Sequence, residues 1–323
     1  MRLVCGGALA SAQIPFSCKA VSPGRVDLVA KRETRRELGA NPSVGKTWDR
    51  AMTLPFNAAL ARNRTPHPAK IEPVSLAQPT LEHERLYRKQ RLAAGFRIFA
   101  RCGFDMGDAG HITARDPERA DCFWLNPAGA HFSRISVSEL MLVNDRGDIL
   151  EPPKTFPALL NPAAFAIHSE LHKARPDVVA AAHTHSIHGM AWSSLGRLLD
   201  PLTQDAAAFF DDHSLFVDYS GLVLDTSEGA KIAQCLGPRQ AVILQNHGLL
   251  TVGQTVESAV WRYISMEACC RVQLMAEAAG KPKPMPAEVA RLTASQLGTE
   301  RAGLDAFAPY WSVISDEEPD LFD

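Results

Sequence analysis

"RPDVVAAAHTHSIHG", residues 175–189, decides how this chain is read. After Pro176, the run from Val178 to Ala182 has the composition of a short buried strand. Side chains two apart on a strand share a face, so His183 and His185 project together at its end while Thr184 points away. Two imidazoles at that spacing can meet one metal ion. A third, His247, directly follows the apolar run "AVILQN" (241–246) and precedes Gly248, where a second strand turns into a loop. Two adjacent strand ends are therefore expected to bring His183, His185 and His247 to one point.

Outward from this centre the pattern alternates between helix and strand. "PTLEHERLYRKQRLAAGFRIFARCG" (79–103) predicts a helix with Thr80 as N-cap, Glu82 and Glu84 in its first turn and Gly103 as its stop. "CFWLN" (122–126) reads as a strand, and "ELMLVNDRGDIL" (139–150) as a hairpin about Asn-Asp-Arg-Gly. Asn161 caps and Pro162 opens a helix that Pro176 closes, and a long helix is predicted from about Thr255 to Gly280. This mixed order predicts an α/β or α+β fold around one sheet, with parallel and antiparallel pairing both open.

Composition narrows the function classes. The 323 residues carry 34 basic and 36 acidic side chains and are 46% hydrophobic, enough for a substantial core. With no basic excess to neutralise phosphates, nucleic acid is not an expected partner, and no uncharged apolar run reaches the roughly 18 residues that span a membrane. The seven cysteines are odd in number and form no Cys-x-x-Cys pair, which fits a reducing, cytoplasmic location. Residues 1–75 lack sustained periodicity and carry Pro15, Pro23, Pro42, Pro55, Pro66 and Pro68 among their prolines, so they read as a largely disordered extension. Met52 is a second candidate start within it. Residues 76–285 are expected to form the main domain. Residues 286–323 are expected to add a helical extension and an acidic tail, "DEEPDLFD" (316–323), read as a solvated terminus.

The stretch 175–189, followed by "LQNHGLLTVGQTVESAV" (244–260), resembles the class II aldolase/adducin family, with "GHITAR" (110–115) and "NPAG" (126–129) similar to its early substrate-binding loops. The resemblance covers about residues 80–280. It implies a three-layer αβα domain with a central, mainly antiparallel sheet, a homotetramer with active sites near subunit boundaries, and His183, His185 and His247 as ligands of a catalytic divalent ion. Zn²⁺ is the first choice, with Fe²⁺ and Mn²⁺ also compatible with three imidazoles. Gly110, His111, Gly129 and Asn161 are the implied substrate-binding positions.

Departures from the sugar-phosphate members shape the expected chemistry. The acid/base carboxylate of the aldolases falls on Ala164, their phosphate-binding serines on Pro162 and Ala163, an asparagine on His111 and a threonine on Ala128. Each change removes a group that a phosphate would use. A small unphosphorylated hydroxy- or oxo-acid is the expected substrate, and aldol cleavage or decarboxylation the expected reaction, because losing carbon dioxide generates a carbanion without a base at carbon. His168, His172 and Tyr219 are the candidate acid/base residues, with Asp205 a further one. Two alternatives carry different chemistry: an iron(II) oxygenase/decarboxylase of an aryl 2-oxo acid, as in prenylated hydroxyphenylpyruvate oxygenases of the family, and a non-catalytic, adducin-like assembly module.

Overall fold

The computed structural model describes residues 80–323; the N-terminal extension read from residues 1–75, and Met52 within it, lie outside the described residues. The chain order is α1 (Leu81–Cys102), β1 (Gly110–Arg115), β2 (Cys122–Leu125), β3 (Met141–Asn144), β4 (Ile149–Glu151), α2 (Pro162–Ala174), β5 (Ala180–Thr184), α3 (Ile187–Ser193), α4 (Gln204–Ala207), β6 (His213–Phe216), α5 (Thr226–Leu236), β7 (Ala241–Leu244), β8 (Gly248–Gly253), α6 (Val256–Ala279), α7 (Ala287–Leu297) and α8 (Glu300–Glu317). The predicted caps hold: Thr80 accepts from the His83 N–H and Asn161 from Ala163 and Ala164; Thr255, at the predicted start of the long helix, caps it by accepting from Ser258.

The strands form one sheet in the order β4-β3-β2-β1-β5-β8-β7-β6, antiparallel throughout except for the parallel β6–β7 pair at one edge. Alternation along β5 divides the core. Ala180 and Ala182 face α1 and α6, with Phe96, Phe99, Val260 and Tyr263, while Ala181 faces α2 and α5, with Ile167, Leu171 and Ile232. The three-layer αβα arrangement follows. Gly229 lets α5 lie hard against α2, since a Cβ there would sit 1.9 Å from the Ala166 carbonyl oxygen.

Two expectations are corrected. The second strand stops at Leu244, and "GLLTVG" forms a separate strand, β8, which lies between β7 and β5. The acidic tail is docked on the fold: Leu321 is fully buried, Asp320 takes both Arg97 guanidinium nitrogens at 2.9 Å, and Glu317 and Glu318 pair with Arg101. An apolar anchor flanked by carboxylates found complementary arginines on α1, so it is not a solvated end.

Candidate metal centre

Each of the three imidazoles is delivered by a different piece of backbone. His183 is the penultimate residue of β5, His185 lies just past it in the turn into α3, and His247 stands at the tip of the β7–β8 hairpin. That hairpin is tight: Leu244 pairs with Gly248, the His247 N–H donates to the Leu244 carbonyl at 3.0 Å, and Asn246 takes the left-handed conformation (φ 61°) that asparagine tolerates. Because β8 pairs with β5, Thr184 opposite Leu249, the hairpin tip falls beside the end of β5. Ring centroids are 4.6 Å apart for His183 and His247, 5.0 Å for His185 and His247 and 5.4 Å for His183 and His185.

The donor set fits a divalent ion. One ring nitrogen from each histidine lies within 4.8 Å of the others. Metal–nitrogen bonds of about 2.0–2.1 Å in a tetrahedron need nitrogens about 3.4 Å apart, which turns of the partly exposed His185 and His247 rings can supply. His183 Nδ1 donates to the Leu249 carbonyl at 2.7 Å, which leaves Nε2 as the free lone pair and fixes the ring. Burial first, then the neighbouring imidazoles, holds His183 well below the ordinary histidine range. Burial likewise lowers His185, and with the help of His185 it brings His247 down to about 4. All three are therefore neutral at pH 7, the form that binds metal.

Beneath His185 lies a polar knot that sequence reasoning missed. The buried Glu267 carboxylate of α6 accepts from Ser186 Oγ (2.7 Å), from the backbone N–H groups of His188 (3.0 Å) and Gly189 (2.6 Å), and meets His188 Nδ1 at 2.8 Å. A carboxylate against the first turn of α3 also opposes the positive end of that helix. Tyr263, one turn earlier, donates to the Thr184 carbonyl at 2.8 Å. The available signal was a glutamate on the stripe Val260, Tyr263, Glu267, Cys270, which is otherwise buried and uncharged.

On the other side, register places His111 of β1 directly opposite His183, ring centroids 5.0 Å apart. A column runs from His111 into the α2 layer. His111 Nδ1 and His168 Nε2 share a hydrogen bond of 2.6 Å, His168 Nδ1 meets Thr113 Oγ1 at 2.6 Å, and the same hydroxyl meets His172 Nε2 at 2.8 Å. His168 and His172, 0% and 4% exposed, sit behind His111. With both His168 nitrogens occupied and His172 stacked on Phe123, neither ring offers an atom to a ligand at the three histidines. Both stand behind His111, bonded to it and to Thr113 rather than facing the three histidines. Sequence reasoning passed over Thr113, whose place in the column depends on strand register.

The remaining candidates divide. Gly110 is where β1 comes close to β5: a Cβ there would be 3.0 Å from Phe132, 3.1 Å from Thr184 Cβ and 3.2 Å from the His183 carbonyl oxygen. The Gly129 N–H donates to Asp108 Oδ1 and the Ala128 N–H to the Leu159 carbonyl, both at 2.8 Å. The Asn161 side chain is taken up in capping α2 and reaches the Asp108 carbonyl at 3.5 Å. Tyr219 is 45% exposed with its ring 6.1 Å from that of His247, on the rim of the centre. Asp205 instead lines a groove with Trp261, Ile264 and Cys269, in the layer of α4 and α6.

With this geometry in hand, the family model of the class II aldolase and adducin N-terminal domain matches residues 90–274. The chain belongs to the class II aldolase/adducin family. Among its relatives, "Decarboxylase NovR" of Streptomyces niveus is 46% identical over 244 residues, covering 75% of this chain and 89% of the relative. "4-hydroxy-3-prenylphenylpyruvate oxygenase/4-hydroxy-3-prenylbenzoate synthase" of Streptomyces roseochromogenus subsp. oscitans is 47% identical over 244 residues, 75% of this chain and 87% of the relative. A solved structure named L-fuculose 1-phosphate aldolase, from Glaciozyma antarctica PI12, superposes with a TM-score of 0.71 at 44% identity, covering 76% of this chain and 95% of that one. The family and its αβα fold agree with the reading of the double histidine signature. The names of these similar proteins, however, point to two different reaction classes.

Proposed function

We propose that this class II aldolase-family protein is a divalent-metal-dependent lyase that cleaves or decarboxylates a small unphosphorylated hydroxy- or oxo-acid in which a carbonyl next to the carbon that keeps the electron pair takes it up as an enolate. One observation carries the choice against a sugar phosphate: the backbone donors at the positions that the resemblance assigns to a phosphate are already used. The N–H groups of Ala163 and Ala164 bond Asn161, that of Gly129 bonds Asp108, and that of Ala128 bonds Leu159. A phosphate dianion there would meet no free donor and would face the Asp108 carboxylate, an unpaired charge at high cost. The two Streptomyces relatives, whose names specify a decarboxylase and an oxygenase of a phenylpyruvate, support the same direction.

In this reading His183, His185 and His247 hold the ion, which when bound polarises a chelating carbonyl and carboxylate through its undiminished charge. His111 and the backbone at Gly110 contact the substrate oxygens, and Asn161 and Gly129 shape the rim through the bonds they already make. Tyr219, on the rim beside His247, is the residue we assign to return a proton to carbon once carbon dioxide has left. Retention of the three imidazoles in one cluster disfavours a purely structural, adducin-like role. Ile187, Leu222 and Leu224 are large apolar side chains, each more than 60% exposed, which fits association into a homo-oligomer such as a tetramer. No helix among the described residues is long and apolar enough to cross a membrane, in keeping with a cytoplasmic enzyme.

The relative named as an oxygenase favours a second reading, in which the ion is Fe²⁺ and oxygen is consumed. Protein loaded separately with Zn²⁺, Mn²⁺ and Fe²⁺ should be assayed for carbon dioxide release and oxygen uptake on 3-oxo acids and on aryl 2-oxo acids, with L-fuculose 1-phosphate alongside. Carbon dioxide from a 3-oxo acid without oxygen uptake is the expected result, and stoichiometric oxygen uptake on an aryl 2-oxo acid selects the second reading. Turnover of the sugar phosphate at a kcat/KM of about 10⁴ M⁻¹s⁻¹, ordinary for enzymes, would overturn both.

A further inference from the structure

The three imidazoles are not held alike. The Leu249 carbonyl fixes the ring of His183, whereas the rings of His185 and His247 make no hydrogen bond among the described residues. His247 rides on a closed hairpin, but His185 lies one residue past the end of β5, where pairing with β1 and β8 stops at Thr184. Its direction is therefore set by the path of the chain from Thr184 to Ser186. Tyr263 of α6 grips that path from behind: its hydroxyl donates to the Thr184 carbonyl at 2.8 Å, accepts from Thr184 Oγ1 at 2.8 Å and lies 3.0 Å from Ser186 Oγ. One phenol thus joins the residues on either side of His185.

Packing alone does not call for that hydroxyl. The ring is fully buried against Phe99 and Phe104, with centroids 5.0 and 5.7 Å away, a space that phenylalanine would fill as well. Ser186 points the same way. It stands at the N-cap of α3 yet makes no capping bond, because its Oγ donates to Glu267 at 2.7 Å; Glu267, one turn beyond Tyr263, takes the His188 and Gly189 N–H groups instead. A serine capping its own helix would stabilise α3 and leave its place on α6 unset. Here α6 supplies the cap, so the turn bearing His185 is registered against α6. We infer that Tyr263 is a positioning residue for His185: its hydroxyl holds the chain from 184 to 186 so that the imidazole stands by His183 and His247, centroids 5.4 and 5.0 Å away, before an ion is bound. Less ordering is then left to oppose binding. The inference rests on the reading of the three histidines as metal ligands.

The test uses cobalt(II) as the probe on the full-length protein, with affinity read by chelator competition and the site by its visible absorption bands. Tyr263→Phe keeps the ring and should weaken cobalt binding on the order of tenfold, the lower end of what outer-shell partners contribute, with altered bands. Thr184→Val, which removes one of the three oxygens and keeps the carbonyl, should weaken it by a smaller factor. Asp116→Ala, at the far end of β1, separates positioning from stability: its cobalt affinity and bands should match the parent although its urea midpoint falls. Parent-like affinity in Tyr263→Phe, or an equal loss in Asp116→Ala, would overturn the inference; if Tyr263→Phe does not fold, parent-like affinity in Thr184→Val is the overturning result. Failure of the metal reading would show differently, as a His185→Ala protein that binds cobalt as tightly as the parent.

Discussion

The two ends of strand β1 hold opposite kinds of polar chemistry. At its start, His111 and Thr113 belong to a neutral column that ends at the buried His172 ring. Past its finish, Asp116 is buried and charged: Arg85 grips it at 2.7 and 3.0 Å, Trp124 Nε1 donates at 2.9 Å, and the Glu118 and Arg119 N–H groups donate at 3.0 Å. Next to it, Arg115 donates to the carbonyls of Ala120, His172, Arg175 and Val178. One end is saturated and fastens α1, β2 and the α2–β5 turn together. The other leads from the buried His172 ring to His111, which lies opposite His183. Stability and function are thus divided along a strand of six residues.

The Glu267 knot is saturated like the far end but lies under the site, so its loss should cost both stability and metal. Glu267→Ala strands the N–H groups of His188 and Gly189 and the Ser186 hydroxyl, and should cost about 4 kcal/mol in urea unfolding together with metal affinity, since it anchors the turn that carries His185. Asp116→Ala should cost about 3 kcal/mol, the usual penalty for removing one partner of a buried charged pair, yet leave metal content unchanged. A loss of metal there would break the division.

Acid titration sharpens the contrast with a smaller effect. Burial, then the Arg115 charge, brings His172 down to about 3, so the folded ring stays neutral while the unfolded one protonates below about 6.5. Its contribution is complete above that value and is lost as pH falls from about 6.5 toward 3. For Asp116, burial pushes its pKa up but the bonds from Arg85, Arg119, Trp124 and Glu118 outweigh it, holding the carboxyl well below its usual range. That contribution is complete above about 4 and is lost only at lower pH. Urea midpoints against pH should therefore fall in two limbs. His172→Phe should lessen the slope of the upper limb, to which the other buried histidines also contribute, and Asp116→Asn that of the lower, and the opposite pairing would refute the assignment.

Much of this was legible locally. Thr80 and Gly103, Asn161 and Pro162, and Thr255 mark helix ends because capping is settled within a few residues. The Asn144–Gly147 turn closes the β3–β4 hairpin as expected. What the sequence withheld depends on register and distance. His111 meets His168 across 57 positions, Arg97 meets Asp320 across 223, and β8 depends on Gln245-Asn246-His247 being a hairpin turn rather than a strand end leading into a loop, which the pairing of Leu244 with Gly248 decides. The spent donors at Gly129 and Asn161 could not be seen either: a residue type names a capacity, and only the fold shows whether it has been used.

The account stands on one centre made by three imidazoles with His111 outside the coordination shell. Metal content of protein purified without added metal, measured for the parent and for His183→Ala, His185→Ala, His247→Ala and His111→Gln, tests this directly. The prediction is about one ion per chain in the parent, a sharp loss in each of the three alanine variants with the fold retained, and full occupancy in His111→Gln. Full retention in any of the three alanine variants, or loss in His111→Gln equal to theirs, would contradict it.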